Sequence, residues 1–308
     1  MERHQPSGRS RLGFLLALTT TVLWSLLPLA LKVALVSMDP YTITWYRFLL
    51  SALLLGSVLA YYRSLPSLGR LSAIVRRLLV VATVFLAVNY ICYLFGLHHT
   101  TPANAQVLIQ LAPMLLALGA IWIFGERFTR LQWLGFGILV AGLAGFFEDQ
   151  LGLLAAGTEE YYLGSFLMLL AAVTWAIYGL AQKQLLAWLP SQAIMVYIYI
   201  GCTLLFSPAS SPRQILEMNG IELGMLAFCA LNTVAAYGTF SEALVHWEAS
   251  RVGAVLALTP LMTIAATAGT HALWPNLAAP ASISGLGIFG ACLVVFGSLL
   301  TSLGQRGR

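Results

Sequence analysis

The sequence predicts an all-α, polytopic membrane protein of ten transmembrane helices arranged as two inverted five-helix repeats. Three observations lead there. Hydrophobic residues make up 59% of the 308-residue chain and charged residues only 9%, too little charge for the surface of a soluble domain. The apolar residues gather into ten long stretches. The chain also repeats itself: Trp24 and Lys32 recur 151 positions later as Trp175 and Lys183, while His99, Ala103 and Pro113 recur 147 positions later as His246, Ser250 and Pro260.

The first five stretches lie near 12–33, 40–62, 74–97, 102–124 and 131–147, and the second five near 163–187, 192–207, 221–245, 251–273 and 281–303. Each is read as one crossing of the hydrocarbon layer, which takes about 20 apolar residues. The first is too long for a signal peptide and is followed at once by further spans, so it is expected to be retained. The halves are residues 1–150 and 151–308, joined by an acidic linker from Glu148 to Tyr162. Because each half crosses an odd number of times, the second enters the bilayer from the side opposite to the first. Paired inverted units of this kind form the two sides of membrane transport pathways.

Basic residues set the orientation. With the N-terminus inside, Arg3, Arg9, Arg11, Arg63, Arg70, Arg76, Arg77, Arg127, Arg130, Lys183, Arg251, Arg306 and Arg308 face the cytoplasm, and only Lys32, Arg47 and Arg213 lie toward the other side. Excess Lys and Arg in cytoplasmic loops is the rule for membrane proteins, so both termini are expected inside. The net charge of +5 is spread over short loops and tails rather than a folded basic face, and nucleic acid is not an expected partner. Cys92, Cys202, Cys229 and Cys292 sit inside apolar spans with no paired spacing, which argues against a disulfide framework or a zinc site.

Trp24 and Trp175 each fall about twelve residues into their spans, or about 18 Å at the helical rise of 1.5 Å per residue, near the bilayer midplane. Inversion leaves both at similar depth and sends their repeat companions apart, Lys32 to the outer rim and Lys183 to the inner. These lysines are candidate gate residues, with Glu242 a candidate partner for Lys183. The competing reading is that both snorkel to the headgroups. Pro113 and Pro260 interrupt the fourth and ninth spans, each removing a donor and freeing the carbonyl four residues earlier, at Ile109 and Leu256. Such breaks are tolerated where protein or a wet cavity satisfies the backbone, so they mark a candidate central site.

Polar and aromatic residues gather at the same depth: Asn89, Tyr90, Tyr93, Gln106, Gln110, Tyr178, Asn232, Tyr237 and Thr259. With the two tryptophans they form the candidate substrate-binding set. Amides, phenols and indoles without a fixed charge would suit a small neutral, zwitterionic or amphipathic solute. Any one of them could instead be an interhelical hydrogen bond. Gly137, Ala141 and Gly145, with Gly287 and Ala291, make small-residue stripes on the fifth and tenth spans that would support the bundle or a homodimer contact. His98, His99, His246 and His271 map near span ends and have no metal-ligand spacing; no metal or other cofactor is expected. His246 and Glu242 are also candidates for proton coupling.

The Trp-Ser and Trp-Ala pairs of the first and sixth spans, the Phe95 to Pro113 stretch FGLHHTTPANAQVLIQLAP and the Phe124-Gly125-Glu126-Arg127 turn resemble the EamA-type members of the drug/metabolite transporter superfamily, over nearly the whole chain. The resemblance implies a secondary transporter of the cell inner membrane with a central cavity, often exporting amino acids or other metabolites. The second half departs from the pattern: Leu273 stands where the first has Glu126, which suggests a structural role for that acid. Two other classes compete. An intramembrane enzyme lacks a His-Glu-x-x-His pair, a Gly-x-Ser-x-Gly elbow or midplane carboxylates. A membrane scaffold without transport activity would tolerate loss of Trp24, Gln110 and Trp175. No Gly-x-x-x-x-Gly-Lys-Ser/Thr loop offers direct ATP coupling.

Overall fold

A backbone without water must pair its N–H and C=O groups internally, and within one segment only a helix does so. The computed structural model describes residues 6–63, 68–99, 105, 108–109, 111–126, 128–155, 159–273 and 285–303. Among them the chain is helical with no strand: α1 Ser10–Ala34, α2 Pro40–Tyr61, α3 Ala73–His99, α4 Leu111–Phe124, α5 Arg130–Ala155, α6 Glu159–Leu185, α7 Ser191–Phe206, α8 Gly220–His246, α9 Ala249–Leu256, α10 Thr259–Leu273 and α11 Gly285–Leu303.

Local signals set the helix starts. Asp39 accepts from the N–H groups of Tyr41 and Thr42, and Pro40 supplies the preset first position of α2. Asn219 and Glu222 form a reciprocal capping box on α8. Seven described segments are long and apolar enough to cross a membrane, and Leu111–Phe124 and Arg130–Gly145 are shorter apolar helices. Their outward side chains fit lipid rather than water, with Trp122 87% exposed and Leu204 68% exposed.

Two expectations change. The ninth span is not one bent helix: α9 ends at Leu256, and α10 begins at Thr259 with Pro260 as its second residue. There the missing N–H and fixed φ cost nothing, whereas mid-helix they would. The Glu148 to Tyr162 stretch is largely helical rather than a loop, since α5 runs to Ala155 and α6 starts at Glu159. Glu159 and Glu160 stand in the first turn of α6, where acidic side chains complement the helix dipole.

The chain forms two compact units, the first made of Met1–Ile91 and Ile177–Trp247, the second of Cys92–Ala176 and Glu248–Arg308. Each draws on both halves of the sequence.

In the first unit α1 packs along α8, and α2 packs on α7 and α8. A Cβ on Gly13 would stand 2.5 Å from Cβ of Trp247, so only glycine admits that approach. Farther along, the hydroxyls of Thr20 and Thr239 meet at 2.8 Å. Leu59, Ala193 and Val196 fill the seam between α2 and α7.

In the second unit α5 and α11 touch backbone to backbone. Cβ atoms built on Gly135, Gly142 and Gly297 would come within 2.5–2.7 Å of main-chain atoms of Thr301, Val294 and Leu139 respectively. The contact row is therefore Gly135, Leu139 and Gly142 against Gly290, Val294, Gly297 and Thr301. The expected stripe differs: nothing lies within 4 Å of a Cβ on Gly137, and Gly145 reaches only Cα of Gly290 at 3.8 Å. Gly137 is two positions from Gly135, about 200° around a helix of 3.6 residues per turn. The side chains of Gly287 and Ala291 lie outside the described residues.

Candidate functional site

Aromatic side chains from six helices converge in the first unit. Trp24 on α1 meets Tyr237 on α8 edge-on, with ring centres 5.1 Å apart, and lies 5.7 Å from Phe240. Tyr237 contacts Tyr178 of α6 at 5.9 Å and Tyr90 of α3 at 5.7 Å. Phe48 of α2 continues the chain of rings, 4.5 Å from Tyr90 and 6.1 Å from Tyr199 of α7. Tilted and edge-on pairs at these separations are the favoured geometries and add stabilisation beyond area burial. Tyr90, Tyr178, Tyr199 and Tyr237 are all buried.

The phenols have internal partners. Tyr178 donates to Sδ of Met195, and Tyr199 donates to the carbonyl of Thr233 at 3.1 Å. Asn232 is buried and donates from Nδ2 to the carbonyl of Leu23 at 2.6 Å. That bond fixes its amide, and Oδ1 is a buried acceptor without a hydrogen-bond partner among the described residues. Asn89 is buried on α3 one residue before Tyr90.

Arg47, one of the three basic residues expected toward the outer side, lies on α2 beside these rings. It is 2% exposed. Its Nε donates to Oγ1 of Thr233 at 3.0 Å, Nη2 reaches the Tyr90 hydroxyl at 3.4 Å, and Cζ stands 4.5 Å over the Tyr90 ring. Thr233 donates its own proton to the carbonyl of Cys229, which leaves a lone pair for the guanidinium. An arginine within a membrane span costs up to about 3 kcal/mol on insertion scales, and a desolvated cation–π contact offsets about 2 kcal/mol. The signal was present in the sequence, since Arg47 stands seven residues inside an apolar span, flanked by Tyr46 and Phe48. An intramembrane cation is a functional candidate by default.

Of the gate candidates, Lys32 is half-buried near the end of α1. Lys183 is only 1% exposed, enclosed by protein rather than extended outward. Glu242 accepts from the hydroxyl of Ser191, and its other oxygen lies 3.4 Å from Nε2 of His246. His246 in turn hydrogen-bonds through Nδ1 to Ser7 at 2.7 Å, and the Ser7 N–H donates to Val245 O at 2.9 Å.

Tyr93, Trp175 and Thr259 belong to the second unit; Trp175 and Thr259 are buried and Tyr93 is half-buried. Pro113 lies in the first turn of α4, and its carbonyl would stand 2.7 Å from a Cβ on Gly253 of α9. Both prolines thus lie in the first turn of a helix, Pro113 in α4 and Pro260 in α10. Gln106 and Gln110 lie outside the described residues.

Glu126 has the structural role its single occurrence suggests. Its carboxylate accepts from the N–H groups of Ala249 and Ser250 at 3.0 and 3.1 Å, capping a short, wholly buried helix whose own N-cap residue, Glu248, provides no side-chain cap. Among the described residues no group of His, Cys, Asp and Glu could hold a metal ion.

Known proteins resemble this chain along its whole length. The model of the EamA-like transporter family matches residues 11–147 and again 162–303. The uncharacterized inner membrane transporter YhbE of Escherichia coli K12 is 36% identical over 300 residues, covering 96% of this chain and 92% of that protein. An uncharacterized transporter of Haemophilus influenzae is 34% identical, with 96% of each chain covered. A protein of Escherichia coli K12 named "probable amino-acid metabolite efflux pump" is 24% identical over 97% of both. One solved crystal structure superposes with a TM-score of 0.72 at 21% identity, over 97% of this chain and 100% of the other, a likeness of fold. Matched twice by the family model and more than one-third identical to YhbE, the chain is a membrane transporter belonging to the EamA-like transporter family.

Proposed function

We propose that the protein is a secondary transporter that exports a small organic solute, an amino acid or related metabolite, across the cytoplasmic membrane by alternating access. The observation that carries this reading is the double match to a transporter family, one copy in each half. The relatives are named as transporters, one of them as an amino-acid metabolite efflux pump, so transport rather than catalysis is the activity in view. Ten spans, inverted halves 1–150 and 151–308 and cytoplasmic termini complete the proposal. Thirteen basic residues against three support that orientation.

The substrate is assigned to Trp24, Asn89, Tyr90, Tyr93, Gln106, Gln110, Trp175, Tyr178, Asn232, Tyr237 and Thr259. Pro113 and Pro260, each in the first turn of its helix, are the helix-break positions of this set, and Lys32 and Lys183 with Glu242 act at the outer and inner gates. Ring contacts linking Trp24, Tyr237, Tyr90 and Tyr178 support the part of this set that lies in the first unit. The burial of Lys183 favours a gate over snorkelling.

Comparative metabolite profiling of cells and medium, with and without overexpression, tests the reading, followed by reconstitution in liposomes with whichever compound moves. Enrichment of an amino acid or related metabolite in the medium is expected. Unchanged medium profiles, together with full tolerance of Ala at Trp24, Gln110 and Trp175, would instead indicate a scaffold.

A further inference from the structure

We propose that Arg47 receives a carboxylate of the transported solute, an inference that rests on the transport reading above. The guanidinium is enclosed, and all its partners are neutral: the Thr233 hydroxyl, the Tyr90 hydroxyl and the Tyr90 ring. Ion pairs between described side chains join Glu242 to His246 and Glu248 to Arg251, and none joins a carboxylate to Arg47. Nη1 makes no hydrogen bond among the described residues. A guanidinium offers five N–H donors and grips carboxylates two bonds at a time. In the site as it stands, Thr233 and Tyr90 use two of those donors.

The charge is not required to build such a helix. Arg47 is the eighth residue of α2, which starts at Pro40; the eighth residue of α7, which starts at Ser191, is the buried Ile198. The matching helix of the second half thus carries an aliphatic side chain there and forms without the cation.

The surroundings narrow the anion. Arg47 lies on Tyr90, and through it on Tyr237, Tyr178 and Trp24. A wall of rings favours a carboxylate on an apolar or aromatic body over a small inorganic anion, which would gain nothing from them. On α8, the residue next to Thr233 is Asn232, whose buried Oδ1 has no partner among the described residues and would take a donor such as an ammonium. Solutes with both groups, amino acids among them, match this chemistry.

The test uses benzoate and its neutral isostere benzamide with the purified full-length protein in nanodiscs, reading tryptophan fluorescence and thermal stability. Wild type should bind benzoate about tenfold or more tightly than benzamide, as expected when one ligand pairs a buried charge. R47Q should lose that preference, while R47K keeps part of it. Equal response to both ligands in wild type overturns the proposal, a comparison that needs no variant to fold. So does a monodisperse R47Q protein that still prefers benzoate. Export measured in parallel separates the two readings. Unchanged export of a carboxylate metabolite by R47Q removes the anion site and leaves transport standing; absent export with an intact Arg47-dependent benzoate preference removes transport and leaves the anion site.

Discussion

Tyr90 and Tyr237 hold the same place in the two repeats, 237 minus 90 being 147, and their rings meet with centres 5.7 Å apart. Residues exchanged by a twofold rotation can touch only beside the axis that relates them. In the proposed inverted arrangement this contact would put the axis within the aromatic cluster. Trp24 is one ring away, against Tyr237.

Removing a ring from this cluster should strike transport harder than folding. W24A and Y237A are expected to lower export about tenfold or more, about 1.4 kcal/mol or more of lost interaction. W24F and Y237F, which keep a ring, should retain most of it. Efflux rates normalised to the amount of protein in the membrane measure this, and equal losses in the Ala and Phe variants would remove the rings from the pathway.

The glycines of α5 and α11 should separate sharply by face. G297A places a methyl 2.5 Å from the backbone nitrogen of Leu139, and overpacking of this kind costs about 1–3 kcal/mol. G137A meets open space and should be neutral or gain up to about 1 kcal/mol in helix propensity. Thermal unfolding of the two variants in detergent provides the comparison.

Loss of the Glu126 carboxylate leaves the N–H groups of Ala249 and Ser250 without that acceptor. E126A should cost about 1–2 kcal/mol, the range for losing a helix cap, and E126Q less, because an amide oxygen still accepts. The same thermal assay measures both.

If Lys183 and Glu242 act together at the inner gate, K183E and E242K should each lower export and the double swap should restore much of it. A double-mutant cycle reports the coupling. Additive losses would leave Glu242 to Ser191 and His246 alone, the partners it already has.

The spans are legible as runs of apolar residues, and two of them carry explicit punctuation at their starts. Asp39-Pro40 and Asn219 with Glu222 fix α2 and α8 to within a residue of the expected starts. The acid of Glu126 was readable as structural from its absence at Leu273, though its partners, 123 and 124 positions away, were not. Local periodicity cannot locate such contacts. The α5–α11 face is hidden for the same reason: Gly135, Gly137, Gly142 and Gly145 are equally small, and only the partner helix selects among them. Arg47 was counted with the loops because a charge tally ignores depth. In a span of apolar neighbours its position is itself the signal, and the contact with Tyr90 is one that a tally of charges does not reveal.

The proposed alternating access requires one half of the chain to enter the bilayer from the side opposite to the other. Single cysteines at Arg9, Glu159 and Trp188, in a chain whose four native cysteines are replaced by Ala, can be treated in intact cells with a membrane-impermeant maleimide. Labelling at 159 alone, with 9 and 188 reacting only after the membrane is permeabilised, is the expected result. Labelling of 9 and 188 from opposite faces would contradict it.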